Sequence, residues 1–138
     1  MLKYTEEKIF TKEQVQSLFL SVGWVSGNYP ERLYKALINS STVLTVWDGD
    51  KLAGLTRVLD DTEMLAQIHY VLVHPDYQGQ GIAGRMIEYI KEKYKDFLYI
   101  EGMPEDKNNV PFYEKHGFSV MENGVAIQIC NYGTDVCS

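Results

Sequence analysis

Residues 73–85 read Val-His-Pro-Asp-Tyr-Gln-Gly-Gln-Gly-Ile-Ala-Gly-Arg, and this stretch decides how the chain folds and what it can bind. An apolar run ends where the stretch begins, and a helical spacing starts at Gly81, so a strand passes through a glycine-rich turn into a helix. Gly79, Gly81 and Gly84 allow a tight turn and a close approach of the backbone to an anion. Because the start of the following helix attracts negative charge, the stretch predicts a phosphate cradle.

The composition is that of one globular domain covering residues 1–138. Hydrophobic residues make up 45% of the chain and charged residues 23%, and no repeat, linker or low-complexity run interrupts it. The formal net charge of −6 argues against a general affinity for nucleic acid and suits a cationic ligand better.

Targeting and metal-binding patterns are not apparent. No apolar run approaches the roughly 20 residues of a membrane helix, and the first residues lack the apolar centre of a signal peptide. Cys130 and Cys137 have no CxxC spacing and no nearby histidines, so neither a zinc site nor a redox motif is expected. We therefore expect a cytoplasmic protein that binds no metal and no membrane.

Periodicity and turn residues predict six elements before the glycine turn. Thr11 has the character of a helix N-cap, and Asp48-Gly49-Asp50 is a strong hairpin signal between two β-rich runs. The expected elements are a strand at 3–10, a helix after Thr11, a helix at 31–39, and strands at 42–47, 52–59 and 64–74. The dense apolar run at 68–73 indicates a buried central strand.

After the turn, the spacing predicts an amphipathic helix with one apolar face. The residues expected to face inward are Ile82, Met86, Ile87, Ile90 and Tyr94. A strand at 97–102, a short helix at 110–116 and a closing pair of strands at 119–121 and 125–131 complete the chain. The predicted order is βααβββαβαββ, an α/β (α+β) fold.

The glycine turn fits two kinds of phosphate ligand. Residues 79–84 match G-x-G-x-x-G, the dinucleotide fingerprint, and Glu101 lies near the end of the next strand, where a ribose-binding acid is expected. However, residues 74–78 separate the strand from the first glycine, and a three-strand meander precedes the motif. Too few residues follow for a full doubly wound sheet. A nicotinamide-dependent oxidoreductase is therefore the weaker interpretation.

From Gln78 onward the same segment reads Gln-x-x-Gly-x-Ala after Val-x-Pro-x-Tyr, and this resembles motif A of the GNAT superfamily of acyl-CoA-dependent N-acyltransferases. Residues 112–118, Phe-Tyr-Glu-Lys-His-Gly-Phe, are similar to that family's Phe-Tyr-x-x-x-Gly-Phe segment. The predicted element order is also similar. The resemblance implies a central mixed twisted sheet flanked by helices, with two parallel strands splayed to form a coenzyme A cleft.

The resemblance implies that acetyl-CoA is the cosubstrate. Main-chain N–H groups of the turn would bind its pyrophosphate, with Gln78 opening the loop, and the pantetheine arm would lie along the central strand. Asn109 is a further candidate for a pantetheine contact, or a cap of the helix that follows it. The implied cofactor-binding residues are Val71, Leu72, Val73, Gln78, Gly79, Gln80, Gly81, Ile82, Ala83, Gly84 and Arg85.

The implied reaction is direct attack of a primary amine on the thioester in a ternary complex. Tyr113 matches the tyrosine that in many family members donates a proton or hydrogen bond to the coenzyme A sulfur, and a phenol stays protonated at neutral pH. His69 and Glu101 are candidate bases, and water is a third proton acceptor. Strand alternation places His69 on the face of Val71 and Val73, whereas His74 and His116 are expected in a loop and at a helix end.

The sequence leaves the acceptor open. Acceptor contacts are expected from the loop at 24–29, from Thr56 and Arg57, and from the C-terminal hairpin. A small-molecule amine, a protein lysine and a protein N-terminus all fit, and a homodimer through the final strands is compatible with the pattern. The alternative within the same fold is a noncatalytic, CoA-binding regulatory domain without a working acceptor site.

Overall fold

A five-stranded sheet runs through the computed structural model, which describes residues 1–131. Short 3₁₀ turns precede α2, α3 and α4. The strands and helices are β1 (Leu2–Thr5), α1 (Lys12–Ser21), α2 (Pro30–Ile38), β2 (Thr42–Asp48), β3 (Lys51–Asp60), β4 (Leu65–Val73), α3 (Ile82–Lys93), β5 (Tyr99–Gly102) and α4 (Val110–Lys115).

The strands lie in sequence order, β1-β2-β3-β4-β5. The first three neighbouring pairs are antiparallel, and only β4 and β5 run parallel. This mixed sheet confirms the predicted fold class. It excludes the parallel doubly wound sheet that the dinucleotide interpretation requires.

Local signals in the sequence account for the first half of the fold. Thr11 caps α1 as predicted, because its hydroxyl accepts the N–H of Gln14 while the Gln14 side chain accepts the N–H of Thr11. The hairpin between β2 and β3 turns at Gly49, whose φ of +62° is readily adopted by glycine. The strand predicted at 3–10 is shorter, since β1 ends at Thr5.

Helices cover both faces of the sheet. Helices α1 and α2 bury one face around Phe19, Leu37 and Leu55. Helix α3 covers the other face, and all five residues predicted to point inward from it are buried. On that second face, Phe112 and Tyr113 of α4 pack against the same cluster as Val71 of β4.

A bulge interrupts the pairing of β3 with β4. The register shifts between Thr56, which lies opposite Val71, and Arg57, which lies opposite His69. Tyr70 is the extra residue, and its φ of +73° is rare for a bulky side chain. The expectation that His69 shares a face with Val71 is therefore wrong, because the inserted residue changes the alternation at this point.

Strand β4 also separates from β5. Their parallel pairing extends from Leu65 opposite Tyr99 to Ile68 opposite Gly102. Strand β4 continues to Val73, so its last five residues have β3 on one side and, among residues 1–131, no strand on the other. This is the splayed pair that the family resemblance implies.

The closing strands predicted at 119–121 and 125–131 are wrong. No strand forms after β5 in the described part of the chain. Val125, Ile127 and Ile129 are 85%, 93% and 88% exposed. Their alternation is typical of a strand, but a strand needs a neighbour to bind its main chain, and none lies beside this segment within residues 1–131. Across the same residues, the helices lack the length and apolar character needed to span a bilayer.

Replacing Tyr94 by Phe will destabilise the fold. The buried Tyr94 hydroxyl lies 2.6 Å from Thr42 Oγ1 and donates to Asp60 Oδ2 at 2.6 Å, which ties α3 to two strands. Removing it leaves Thr42 without this partner, so we expect a loss of about 1–3 kcal/mol in the free energy of unfolding by urea. Tyr89→Phe is the control, because that hydroxyl bonds Glu6 at the surface. Equal losses in the two variants would contradict the assignment.

Candidate active site

The glycine turn presents a row of unused hydrogen-bond donors. Gly79 and Gly81 have φ of +83° and +82°, and a Cβ atom at either position would meet nothing within 4 Å. Within the described residues, no protein acceptor binds the main-chain N–H groups of residues 79–84. Consecutive free N–H groups at the start of a helix form an anion site. The predicted phosphate cradle therefore has the required geometry.

Gly84 serves a different purpose from the other two glycines. It lies in the first turn of α3, and a Cβ atom there would come within 3.2 Å of His116 Nε2. His116 caps the C-terminal end of α4 as expected, and its Nδ1 lies 2.6 Å from Glu88 Oε2. This hydrogen bond lowers the pKa of Glu88. Gly84 thus allows α4 to pack close beside the cradle.

An open depression of about 480 Å³ lies beside the start of α3. Arg85 and Lys115 contribute positive charge to its lining. Its walls are Gly81, Gly84, Arg85, Glu88, Phe112, Lys115 and His116. The depression therefore offers space and cations next to the free N–H groups.

Main-chain groups at the end of β4 face the gap left by β5. The N–H of His74 donates to the Ala53 carbonyl on β3. Because main-chain groups of alternate residues point to the same neighbouring strand, those of Leu72 also face β3, whereas those of Val71 and Val73 face the gap. The Val73 carbonyl already accepts the Gln78 side-chain N–H at 3.0 Å. Val71 therefore offers its main chain most openly, and Gln78 holds the end of the strand.

Tyr113 lies on the α3 side of the sheet, half-buried between two aromatic rings. Its ring packs edge-on against Phe112 and Phe118, with centroids 5.0 and 5.7 Å away. Burial raises the pKa of its phenol. Tyr113 is therefore protonated at neutral pH, as a proton donor must be.

A polar network occupies the opposite face. The half-buried Arg57 donates from Nε to Ser40 Oγ at 2.8 Å and from Nη1 to His69 Nδ1 at 2.8 Å. Its guanidinium carbon lies 5.6 Å from the centre of the Tyr70 ring. Burial lowers the pKa of Arg57, while Tyr70 raises it in part, and an arginine remains charged throughout the physiological range.

This contact fixes the protonation of His69. Since a guanidinium can only donate, Nδ1 of His69 must be the acceptor, and the neutral ring then carries its proton on Nε2. His69 is an exposed residue, but Arg57 and Tyr70 enclose one side of its ring. Desolvation first, and then the positive charge of Arg57, lower its pKa. In this arrangement Nδ1 is occupied and Nε2 carries the proton, so His69 cannot remove a proton while Arg57 holds it.

Aromatic rings extend the same face. Tyr70 packs at 4.8 Å on Phe19, and its ring centre lies 5.6 Å from that of Trp24. The Tyr70 hydroxyl and Ser26 Oγ are 2.7 Å apart. The loop before α2 is thereby attached to the bulge. Trp24 and Arg57, both expected near the acceptor, are brought together by a tyrosine that the sequence did not single out.

Three more residues were singled out from the sequence. Glu101 lies on β5, Asn109 directly precedes α4, and His74 lies in the turn after β4. Glu101 lies opposite Gln67, and because its neighbour Ile100 packs on the α3 side, Glu101 faces the same side as His69. Asn109 is exposed and lies at the N-cap position of α4, as predicted, but its side chain makes no cap hydrogen bond to the helix. His74 lies in a turn, as expected, where Nδ1 accepts the N–H of Asp76.

Comparison with known proteins identifies the family. The profile described as the acetyltransferase (GNAT) family matches residues 9–118, so the chain belongs to this family. A GNAT-family acetyltransferase from Streptococcus pneumoniae has the same fold, with a TM-score of 0.81, 26% identity, and coverage of 96% of this chain and 100% of that one. The predicted family is confirmed.

Two curated relatives are more similar in sequence. An uncharacterized N-acetyltransferase ycf52-like protein of Prochlorococcus marinus is 31% identical over 120 residues, covering 80% of this chain and 64% of the relative. An uncharacterized N-acetyltransferase ycf52 of Gracilaria tenuistipitata is 35% identical over 119 residues, covering 80% of this chain and 63% of the relative. This chain therefore spans less than two thirds of the length of either relative.

The His69 contact can be tested by NMR titration. We expect the wild-type imidazole to titrate below the usual value of about 6.5 with its proton on Nε2, and Arg57→Gln to raise that pKa. Because the folded-state pKa is depressed, the stability from His69 is present above about pH 6.5 and is lost as the pH falls through the folded pKa. Lys35→Gln is the control for loss of a surface charge. An unchanged His69 pKa in Arg57→Gln would refute the contact.

Proposed function

We propose that this domain is an acetyl-CoA-dependent N-acetyltransferase that moves the acetyl group to a primary amine by direct attack in a ternary complex. The observation that carries the proposal is the run of unpartnered N–H groups at 79–84 beside the open edge of β4. Membership of the acetyltransferase family supports the same activity. We also propose that the protein acts in the cytoplasm, as the sequence leads us to expect.

The residues present fit acetyl-CoA. The N–H groups of residues 79–84 would hold its pyrophosphate, and Arg85 and Lys115 in the adjacent depression supply further positive charge. Val71, on the unpaired edge of β4, would hydrogen-bond the pantetheine arm as an added strand does. Asn109, which directly precedes α4, stays a candidate for a further contact with the pantetheine arm. When bound, acetyl-CoA supplies the thioester that an amine can attack.

Tyr113 has the properties of the general acid. Its raised pKa keeps the phenol protonated, and its ring packs on the cluster that also contacts Val71. A hydrogen bond from this phenol would stabilise a departing thiolate. The main-chain N–H of Val71, which faces the gap, would stabilise the developing oxyanion.

Two side chains on the other face of the sheet are candidates to accept the proton that the amine loses. Glu101 faces that side and makes no ion pair among the described residues, so its carboxylate is available. His69 becomes an acceptor only when Nδ1 is released from Arg57. We therefore favour Glu101, acting directly or through water, as the proton acceptor in the arrangement described.

Cofactor binding is tested with two matched glycine variants. Gly79 and Gly49 both have positive φ and open space around the missing Cβ. Replacement by alanine should therefore lower the stability by a similar amount at each position, about 1–2 kcal/mol. We expect Gly79→Ala to weaken acetyl-CoA binding about tenfold in calorimetry, and Gly49→Ala to leave it unchanged. Failure of the wild-type protein to bind acetyl-CoA at millimolar concentration would reject the proposed function.

The role of Tyr113 is tested by Tyr113→Phe. Loss of the phenol should lower kcat about 100-fold, the usual size of a general-acid effect, and should leave the acetyl-CoA dissociation constant unchanged. Tyr99→Phe on β5 is the matched control, since that side chain is 53% exposed. Release of free thiol across a panel of amines is the measurement. Equal turnover in Tyr113→Phe and wild type rejects the acid role, and absence of thiol release with every amine favours the noncatalytic alternative.

A further inference from the structure

Arg57 is a positive charge held by neutral groups, and it has no acidic partner among residues 1–131. Its Nε and Nη1 donate to two neutral groups, Ser40 and His69. None of the ion pairs among residues 1–131 includes it. A half-buried guanidinium loses hydration, and no carboxylate of the described chain compensates for that loss.

The surrounding groups hold this guanidinium in place without neutralising it. Ser40 is buried, and its hydroxyl also donates to the Ala36 carbonyl at 2.7 Å, which fixes the oxygen that Arg57 binds. Tyr70 lies against the guanidinium face. Three of the five guanidinium N–H groups then have no partner in the described protein. Such a fixed, partly desolvated fork is suited to a planar carboxylate or to phosphate oxygens.

The position of Arg57 relates it to the acceptor rather than to the donor. It lies opposite His69 at the bulge. His69 directly follows Ile68, the last residue of β4 that pairs with β5. The free N–H groups of the glycine turn lie beyond the other end of the unpaired segment, after Val73. Trp24 and Ser26, from the loop before α2, reach Tyr70 on the same face.

We propose that Arg57 determines acceptor specificity by binding an anionic group, a carboxylate or a phosphate, on the amine that is acetylated. This inference rests on the proposed function and narrows its substrate class to amines that carry negative charge. Trp24 and Tyr70 form an aromatic wall beside the guanidinium, so an aromatic amino acid is a suitable probe.

The test compares amines that differ only in the anion. The pairs are L-tyrosine with tyramine and O-phosphoethanolamine with ethanolamine, each assayed for thiol release with acetyl-CoA. We expect the wild-type protein to prefer the anionic member of at least one pair about tenfold or more in kcat/KM, the size expected for a hydrogen bond to a charged group. The responding pair distinguishes a carboxylate from a phosphate.

Three variants assign the preference to the guanidinium. Arg57→Gln should abolish it by raising KM for the anionic amine, so that kcat/KM for the anionic amine equals that for the neutral member of the pair measured with the same variant. Arg57→Lys keeps the charge but not the fork, so it should restore part of the preference. Lys35→Gln, on the exposed surface of α2, removes an equal charge and should change nothing. The urea midpoint of each variant shows whether it is folded.

The outcomes separate this inference from the proposed function. Equal use of both members of each pair by the wild type, or a preference that survives Arg57→Gln, overturns the role of Arg57 while acetyl transfer stands. If no amine is turned over, calorimetry with N-acetyl-L-tyrosine, N-acetyltyramine and inorganic phosphate decides the matter. Absence of Arg57-dependent anion binding then overturns the inference about Arg57 while the proposed function stands. Absence of acetyl-CoA binding overturns the proposed function, and Arg57 is then an anion site that serves no acetyl transfer.

Discussion

The site depends on one constraint, which is that β4 keeps β3 as a neighbour after it has lost β5. Buried main-chain N–H and C=O groups need partners, and within the described part of the chain the last five residues of β4 have a strand on only one side. Gln78 satisfies one carbonyl, that of Val73. The groups of Val71 remain open to a ligand. The proposed binding of the pantetheine arm to this strand edge would therefore need no special side chain.

The bulge at Tyr70 connects this edge to the chemistry of the other face. Without the extra residue, His69 and Tyr70 would point to opposite sides of the sheet. With it, their rings lie 4.1 Å apart on one face, and Arg57 from the neighbouring strand reaches both. A left-handed conformation for a bulky residue costs about 1–2 kcal/mol, and the aromatic packing on Phe19 and Trp24 together with the Ser26 contact offsets that cost.

The limits of prediction from the sequence follow from the range of each interaction. The Thr11 cap, the Asp-Gly hairpin and the apolar face of α3 are local patterns, and all three were predicted correctly from residues within a few positions of each other. The glycine turn is equally local.

The bulge at Tyr70 was not predicted, because one inserted residue leaves a β-rich composition unchanged. The closing strands were predicted wrongly, since the alternation around Ile127 says nothing about whether a neighbouring strand is present. The Arg57 network joins residues separated by 17 and 12 positions, and no short motif marks it.

The global charge and the charge of the site point in opposite directions. The net charge of −6 favours cations at long range, but salt screens such fields beyond about 8–10 Å. In the proposed role Arg57 would act at contact distance from a half-buried position, where screening is weaker. A positive charge near an amine also favours the uncharged form of that amine, which is the form that attacks a thioester. An anionic substituent on the acceptor would by itself favour the protonated, unreactive amine. In the proposed complex the guanidinium of Arg57 would bind that substituent and compensate its negative charge, so that the neutral amine needed for attack is not disfavoured.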